Sequence, residues 1–282
     1  MKATETTLIN TDQLTRPPRA SARVSVVIPT LNEAANLPHV FARLPFEDLF
    51  EVILVDGHST DDTIKIARAL HPPVRVVLQD GKGKGNALAC GFAAARGDII
   101  VMLDADGSTD PQEIPAYVNA LFDGADFAKG SRFMEGGGSV DITPFRMTGN
   151  RFLNGTVNAL FGTRYTDLCY GYNAFWADVR PTINVDCSGF EVETLINVRV
   201  AKAGLNVAEV PSVEQERIHG VSKLHPIRDG LRVLRTILKE RFARRENRVA
   251  AVPAVRELDS GGQPIGLLDA VDTEALDLAS AG

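Results

Sequence analysis

Cysteine is scarce in this chain and unpatterned. Only Cys90, Cys169 and Cys187 occur in 282 residues, with no Cys-x-x-Cys pair, which excludes a disulfide framework and a cysteine-built zinc site and fits a reducing compartment. Long hydrophobic runs are missing too: nothing approaches the ~18 apolar residues of a membrane span, and the polar N-terminus with its Pro17-Pro18 lacks the make-up of a secretion signal. A charge excess of basic sign is absent, 30 Lys and Arg facing 36 Asp and Glu, so nothing marks a protein that wraps nucleic acid. These absences leave a cytoplasmic protein that touches the inner face of a membrane peripherally at most. Its 44% hydrophobic content is enough to bury a full core in one domain.

What is present is an alternation of apolar runs and helical patterns. Val24 to Ile28 reads as a strand stopped by Pro29, with a helix opening near Asn32; Phe50 to Asp56 is a second strand, and Ser59 to Asp62 opens a helix through Ala69. Val74 to Leu78, a helix over Asn86 to Arg96 and a strand from Ile99 to Leu103 follow. Strands alternating with helices imply βαβ units and a mostly parallel sheet covered on both faces. Further helices are expected over Pro111 to Phe122, Arg146 to Phe161 and Phe190 to Ala203, with strands at Asp126 to Gly130 and Val207 to Val213. Gly136-Gly137-Gly138 places a flexible loop over Met134 to Thr143, read either as a moving lid or as an idle surface loop.

The run Val101-Met102-Leu103 ends in Asp104-Ala105-Asp106-Gly107. A strand alternates its side chains with period 2, so both carboxylates project to one side at the carboxyl end of the sheet. Two clustered carboxylates repel unless a cation sits between them, and Mg²⁺ typically takes one or two carboxylates and completes its shell with water and phosphate. A solvated acidic turn is the plainer alternative. Pro29 to Glu33 and Asp56 fall at the same edge, where open α/β sheets bind ligands.

In order, the chain carries Val-Ile-Pro-Thr-Leu-Asn-Glu (27–33), Val-Asp-Gly-His-Ser-Thr-Asp-Asp-Thr (55–63), Gly-Lys-Gly-Asn-Ala (83–87) and Asp-Ala-Asp (104–106). That succession resembles the family 2 glycosyltransferases, whose GT-A fold is a Rossmann-like, mostly parallel sheet flanked by helices. Gly-Ser-Arg-Phe (130–133), Arg146 with Asn150, and Arg-Ile-His-Gly-Val-Ser-Lys-Leu (217–224) resemble the dolichyl- or polyprenyl-phosphate mannosyltransferase branch. The resemblance spans about residues 23 to 240 and implies roles. Pro29, Asn32, Glu33 and Asp56 would hold the nucleoside, and Lys84 would face the diphosphate. Asp106 would be the principal ligand of Mg²⁺ or Mn²⁺, with Asp104 beside it. Many relatives carry Gln two places after the second Asp; here Ser108 stands there, leaving Ser108, Asp110 or water as the third ligand. Arg132 and Arg146 would face an acceptor phosphate, while Arg217, Ser222 and Lys223 would close over the donor.

The expected partners are therefore a nucleotide-diphosphate sugar, GDP-mannose favoured and UDP-glucose the other candidate, and a polyprenyl phosphate. A phosphate acceptor is already an anion and needs a cationic pocket rather than a base. For a hydroxyl acceptor, Asp167 or one of Glu191 and Glu193 is the candidate base, while His219 and Trp176 read as structural. A soluble acceptor and a catalytically weak nucleotide-sugar-binding subunit are the competing readings. A nucleotidyltransferase or a nicotinamide dehydrogenase is disfavoured, because no glycine-rich loop follows the first strand.

The expected organisation is a flexible leader over 1–22, a catalytic domain over 23–224, a basic amphipathic helix over 225–245 and a disordered acidic tail over 246–282. The helix segment holds seven Lys/Arg against two Asp/Glu, and the tail two against seven. Ile227, Leu231, Leu234, Leu238 and Phe242 recur at helical spacing, with Arg228, Arg232, Arg235 and Lys239 off that stripe. Such a helix suits either an anionic membrane surface or packing on the domain with a solvated basic face.

Overall fold

The computed structural model describes residues 16–221, 225–243 and 253–267. The chain runs β1 (Val24–Thr30), α1 (Leu37–Phe41), β2 (Glu51–Asp56), α2 (Thr63–Leu70), β3 (Arg75–Leu78), α3 (Gly83–Ala94), β4 (Ile99–Met102), α4 (Ile114–Phe122), β5 (Phe127–Ser131), β6 (Gly138–Ser139), α5 (Pro144–Phe161), β7 (Asn173–Trp176), α6 (Arg180–Ile183), α7 (Val192–Ala203), β8 (Val207–Pro211), β9 (Val213–Glu214), α8 (Pro226–Phe242), β10 (Arg256–Leu258) and β11 (Pro264–Leu267). The main sheet has the order β11-β10-β3-β2-β1-β4-β7-β5-β8. Its centre, β3-β2-β1-β4, is parallel, whereas β7 runs antiparallel between β4 and β5.

The central strands are buried on both faces, Val26, Ile28, Ile53, Leu54, Ile99 and Ile100 being inaccessible to solvent, which explains their unbroken apolar runs. The chain leaves β1 toward β2 and β3 on one side and later returns to place β4 on the other. The order therefore reverses between β1 and β4, and the crevice beyond their carboxyl ends is the natural ligand position in such a sheet. A second, smaller core joins α5, α7 and α8 through Leu153, Val157, Val198, Val233 and Ile237.

Several boundaries differ from those expected. β1 continues through Pro29 to Thr30, with Pro29 in register with Val55. α3 starts at Gly83 rather than Asn86, and the segment after the triple-glycine run is tied down by β6 pairing with β9. The leader is not wholly loose: Arg16 bonds Asp126 and Asp178. Nor is the tail wholly without structure, since β10 and β11 form a hairpin that extends the sheet antiparallel to β3. α8 exists as expected, capped by His225 with Pro226 in its first turn, but the face it packs inward carries Val233 and Ile237. Of the stripe read from the sequence, Ile227, Leu231, Leu238 and Phe242 stay exposed, and only Leu234 leans on the second core.

Candidate active site

Two adjoining cavities open at the β1/β4 reversal. The larger, about 270 Å³, extends toward α5 and α8 past Arg132, Ile142, Phe145, Arg146, Asn150 and Val233. The smaller, about 150 Å³, runs back along Pro29, Thr30, Glu33, Gly57 and Gln79. Lys84, Asp104, Asp106, Phe190 and Arg217 line both and so form their common wall.

The residues of that wall come from separate stretches of the chain. Asp104 and Asp106 follow β4 directly, and Asp106 is fixed by accepting a hydrogen bond from the Ser108 backbone N–H at 2.9 Å. Gly107 has φ +78°, a left-handed conformation for which the turn needs glycine. Lys84 rises from the first turn of α3 and lies between Asp104, 2.6 Å away, and Glu193 of α7, 2.7 Å away. Burial works against its charge, but the two carboxylates outweigh that and raise its pKa above the ordinary lysine value. Burial pushes the Glu193 carboxyl up, and Lys84 only partly offsets this. The glycines around Lys84 serve packing here: Gly83, at φ +84°, leaves no room for a Cβ beside the Ser188 carbonyl, and Gly85 N–H donates to that carbonyl at 3.2 Å.

Arg217 reaches Asp106 at 2.6 Å and Glu33 at 3.4 Å. Its segment is stitched across the site by Gln215 N–H to the Ser108 carbonyl, Ile218 N–H to the Asp106 carbonyl and His219 N–H to Asn36 Oδ1. The His219 backbone thus braces this segment against Asn36. Ser222 and Lys223 lie outside the described residues.

Not every predicted residue faces a cavity. Asn32, at φ 59°, spends its side chain on Thr60, accepting from its N–H at 2.7 Å. Asp56 is buried behind the smaller cavity, accepting from Ser59 N–H while its Oδ1 has no partner. Arg132 lines the larger cavity with a committed guanidinium, held by Asp167 at 2.6 Å and Glu214 at 2.9 Å. Asp167 also receives Asn150; although burial opposes its charge, Arg132 and that amide hold its pKa below the ordinary value. Of the two arginines expected near an acceptor, Arg146 is the more accessible, bonded to the exposed Asp141 at 3.0 Å. Ser108 lines the larger cavity beside Asp106. Gly171, Phe190, Glu214 and Asp229 belong to the site region without having been singled out by sequence; only Gly171, inside the Tyr-Gly-Tyr run, carried a local signal.

The donor atoms suit a hard divalent cation. Asp104, Asp106 and Ser108 offer oxygen only, on a shared cavity wall with room for phosphate, the environment Mg²⁺ and Mn²⁺ prefer. Among the described residues no cluster of three or more His, Cys, Asp or Glu forms a closed cage, so any such ion would rely on substrate oxygens to complete its shell.

Residues 25–180 match the family model described as glycosyl transferase family 2. The chain belongs to that family. Within it, this glycosyltransferase is 34% identical over 219 residues to the polyprenol monophosphomannose synthase of Mycolicibacterium smegmatis, covering 73% of this chain and 82% of that one. It is 33% identical over 213 residues to the dolichol-phosphate mannosyltransferase of Pyrococcus furiosus, covering 72% of this chain but 59% of the relative. Among solved structures, glucosyl-3-phosphoglycerate synthase from Mycobacterium tuberculosis, crystallised with Mn²⁺, UDP and glucosyl-3-phosphoglycerate, superposes with a TM-score of 0.63 at 26% identity, covering 79% of this chain and 81% of that one. The GT-A architecture expected from the motifs is therefore the architecture of this glycosyltransferase.

Proposed function

We propose that this glycosyltransferase moves a hexose from a nucleoside-diphosphate sugar to a polyprenyl phosphate, with inversion, at a membrane surface. The observation that carries the reading is the common wall: Asp104, Asp106 and Arg217 stand where a nucleoside-sized cavity meets a larger one reaching Arg146. The smaller cavity suits the base and ribose, with Pro29 and Glu33 along it and Asn32 and Asp56 shaping the loops behind. GDP-mannose is the favoured donor because the relatives above are named for mannose transfer; UDP-glucose is the alternative, supported by a solved neighbour bound to it. Mg²⁺ or Mn²⁺ against Asp106, with Asp104 and Ser108 as further candidate ligands, would neutralise the departing diphosphate. Both ions occur in the neighbouring crystal structures.

An acceptor phosphate oxygen forms the new bond to the anomeric carbon as the bond from that carbon to the diphosphate breaks, and the nucleoside diphosphate leaves with the electron pair. Arg146 is the accessible cation for the incoming phosphate. Arg132, spent on Asp167 and Glu214, positions those two carboxylates behind the cavity. Arg217 turns to the diphosphate, with Ser222 and Lys223 expected beside it. The exposed stripe of α8 and the exposed Phe145 and Phe152 of α5 flank this end of the molecule and suit an interfacial position. A phosphorylated soluble acceptor is the second reading, favoured by the neighbour crystallised with UDP-glucose and phosphoglyceric acid.

Incubation with labelled GDP-mannose or UDP-glucose, Mn²⁺ and a short polyprenyl phosphate is expected to move label into the organic phase. Asp106→Ala should lower that transfer by about 100-fold or more, the scale of losing a principal electrostatic stabiliser. Label confined to the aqueous phase with a phosphorylated small acceptor would select the second reading, and undiminished turnover by Asp106→Ala would refute both.

A further inference from the structure

The two carboxylates at the end of β4 already hold side-chain cations, and the two cations are held differently. Lys84 has a carboxylate on either side, Asp104 and Glu193, and its side chain is only 14% exposed. Arg217 is 26% exposed and divides its guanidinium between Asp106 at 2.6 Å and Glu33 at the looser 3.4 Å. The backbone around it is pinned from both sides, to the Asp106 turn and to Asn36, so only the side chain has freedom to exchange partners.

We infer that Arg217 is a resident counter-ion that competes with a divalent cation for Asp106 and thereby couples metal binding to diphosphate binding. The inference rests on the proposed donor site. A metal arriving alone has to share Asp106 with a guanidinium and is repelled by it. A diphosphate arriving with the metal supplies anionic oxygens to which the guanidinium transfers, as a bidentate fork suits, and Asp106 is freed. Lys84 cannot act in this way, because leaving Asp104 would still leave it against Glu193 in a buried setting. Metal and nucleotide therefore each bind weakly alone and strongly together, and by linkage each must strengthen the other by the same factor.

The test is Mn²⁺ binding to the full chain by electron paramagnetic resonance titration, alone and with saturating GDP or UDP. Wild type is expected to bind Mn²⁺ weakly alone and about tenfold or more tightly with the nucleotide. Arg217→Gln should bind Mn²⁺ alone about tenfold more tightly than wild type, and the strengthening by nucleotide should shrink. Arg217→Lys keeps the charge near Asp106 and should leave Mn²⁺-alone affinity within about threefold of wild type. Asp106→Asn should abolish tight Mn²⁺ binding in every combination. If Arg217→Gln, folded by its thermal melt, binds Mn²⁺ alone no better than wild type, or if Arg217→Lys tightens it equally, the counter-ion role is overturned while the donor site stands. A wild-type chain that binds no Mn²⁺ even with nucleotide overturns the donor-site reading and this inference with it.

Discussion

At the scale of residues, the legible part of the site is the part written within a few positions of a strand end. Asp104 and Asp106 were expected together at a strand end; β4 stops at Met102 and the pair lies in the turn beyond it, where both line the two cavities. Lys84 was legible as a charge but not as a bridge, since Glu193 lies on a helix far along the chain and nothing local announces the pairing. Arg132 shows the same limit: its motif pointed to a phosphate, whereas the fold brings Asp167 and Glu214 against its guanidinium. That buried pair yields a stability prediction. Asp167 has no solvent exposure, and removing one partner of a buried ion pair strands the other. Asp167→Asn is expected to lower the unfolding free energy at neutral pH by about 3–5 kcal/mol, read as a shift in urea midpoint. Because the folded pKa of Asp167 lies below its ordinary 3.8, its contribution is fully present above that value and is lost as pH falls below it through the folded pKa. The gap between wild type and variant should therefore narrow on acidification in that window and stay constant between pH 6 and 8.

At the scale of elements, periodicity identified α8 but not which face it buries. Two apolar rows compete on that helix, and the hydrophobic pattern alone cannot say which one meets the domain. The decision is made by α7 and α5: Val233 and Ile237 fit the second core, and Glu240 is drawn inward by Arg199 at 3.0 Å and Lys202 at 3.0 Å. With that face fixed, Ile227, Leu231, Leu238 and Phe242 have to look outward, Phe242 with 81% of its surface exposed. Arg228, Arg232, Arg235 and Lys239 flank them, so the outward face combines apolar anchors with positive charge, the composition that suits an anionic bilayer surface. The combined variant Ile227→Asn, Leu231→Asn, Phe242→Asn should keep its thermal midpoint to within about 3 °C, since exposed positions change stability little, yet bind vesicles containing anionic lipid about tenfold more weakly per residue changed, the scale of one unburied large apolar side chain. Co-sedimentation measures this. Raising salt to about 0.5 M should weaken wild-type binding further by screening the arginines. Vesicle binding equal in variant and wild type would remove the interfacial role from this helix.

At the scale of the whole molecule, the sheet order explains what sequence could and could not foretell. The parallel centre was legible because each strand there is a continuous apolar run followed by a helix. β7 was not, being four residues long and inserted antiparallel between strands that precede it in the chain. The terminal hairpin was hidden for another reason: residues 246–282 are acidic and aperiodic, and β10 gains its structure from pairing with β3 rather than from its own pattern. The hairpin also supplies charge. Glu257 meets Arg75 at 2.8 Å and Arg96 at 3.5 Å, while Arg75 is shared with Glu51 of β2, so the outer edge of the parallel sheet is tied to a segment reached only after α8. Ending the chain after residue 245 would expose the β3 edge and leave Arg75 one carboxylate short. Loss of a charged hydrogen-bonded pair with its strand contacts is expected to cost roughly 2–3 kcal/mol, a drop of about 5–10 °C in Tm for a domain of this size. Glu257→Gln in the full chain should reproduce part of that drop, since it keeps the strand pairing and removes only the charge. A truncated chain that melts like the full one would show that the hairpin rests on the sheet without stabilising it.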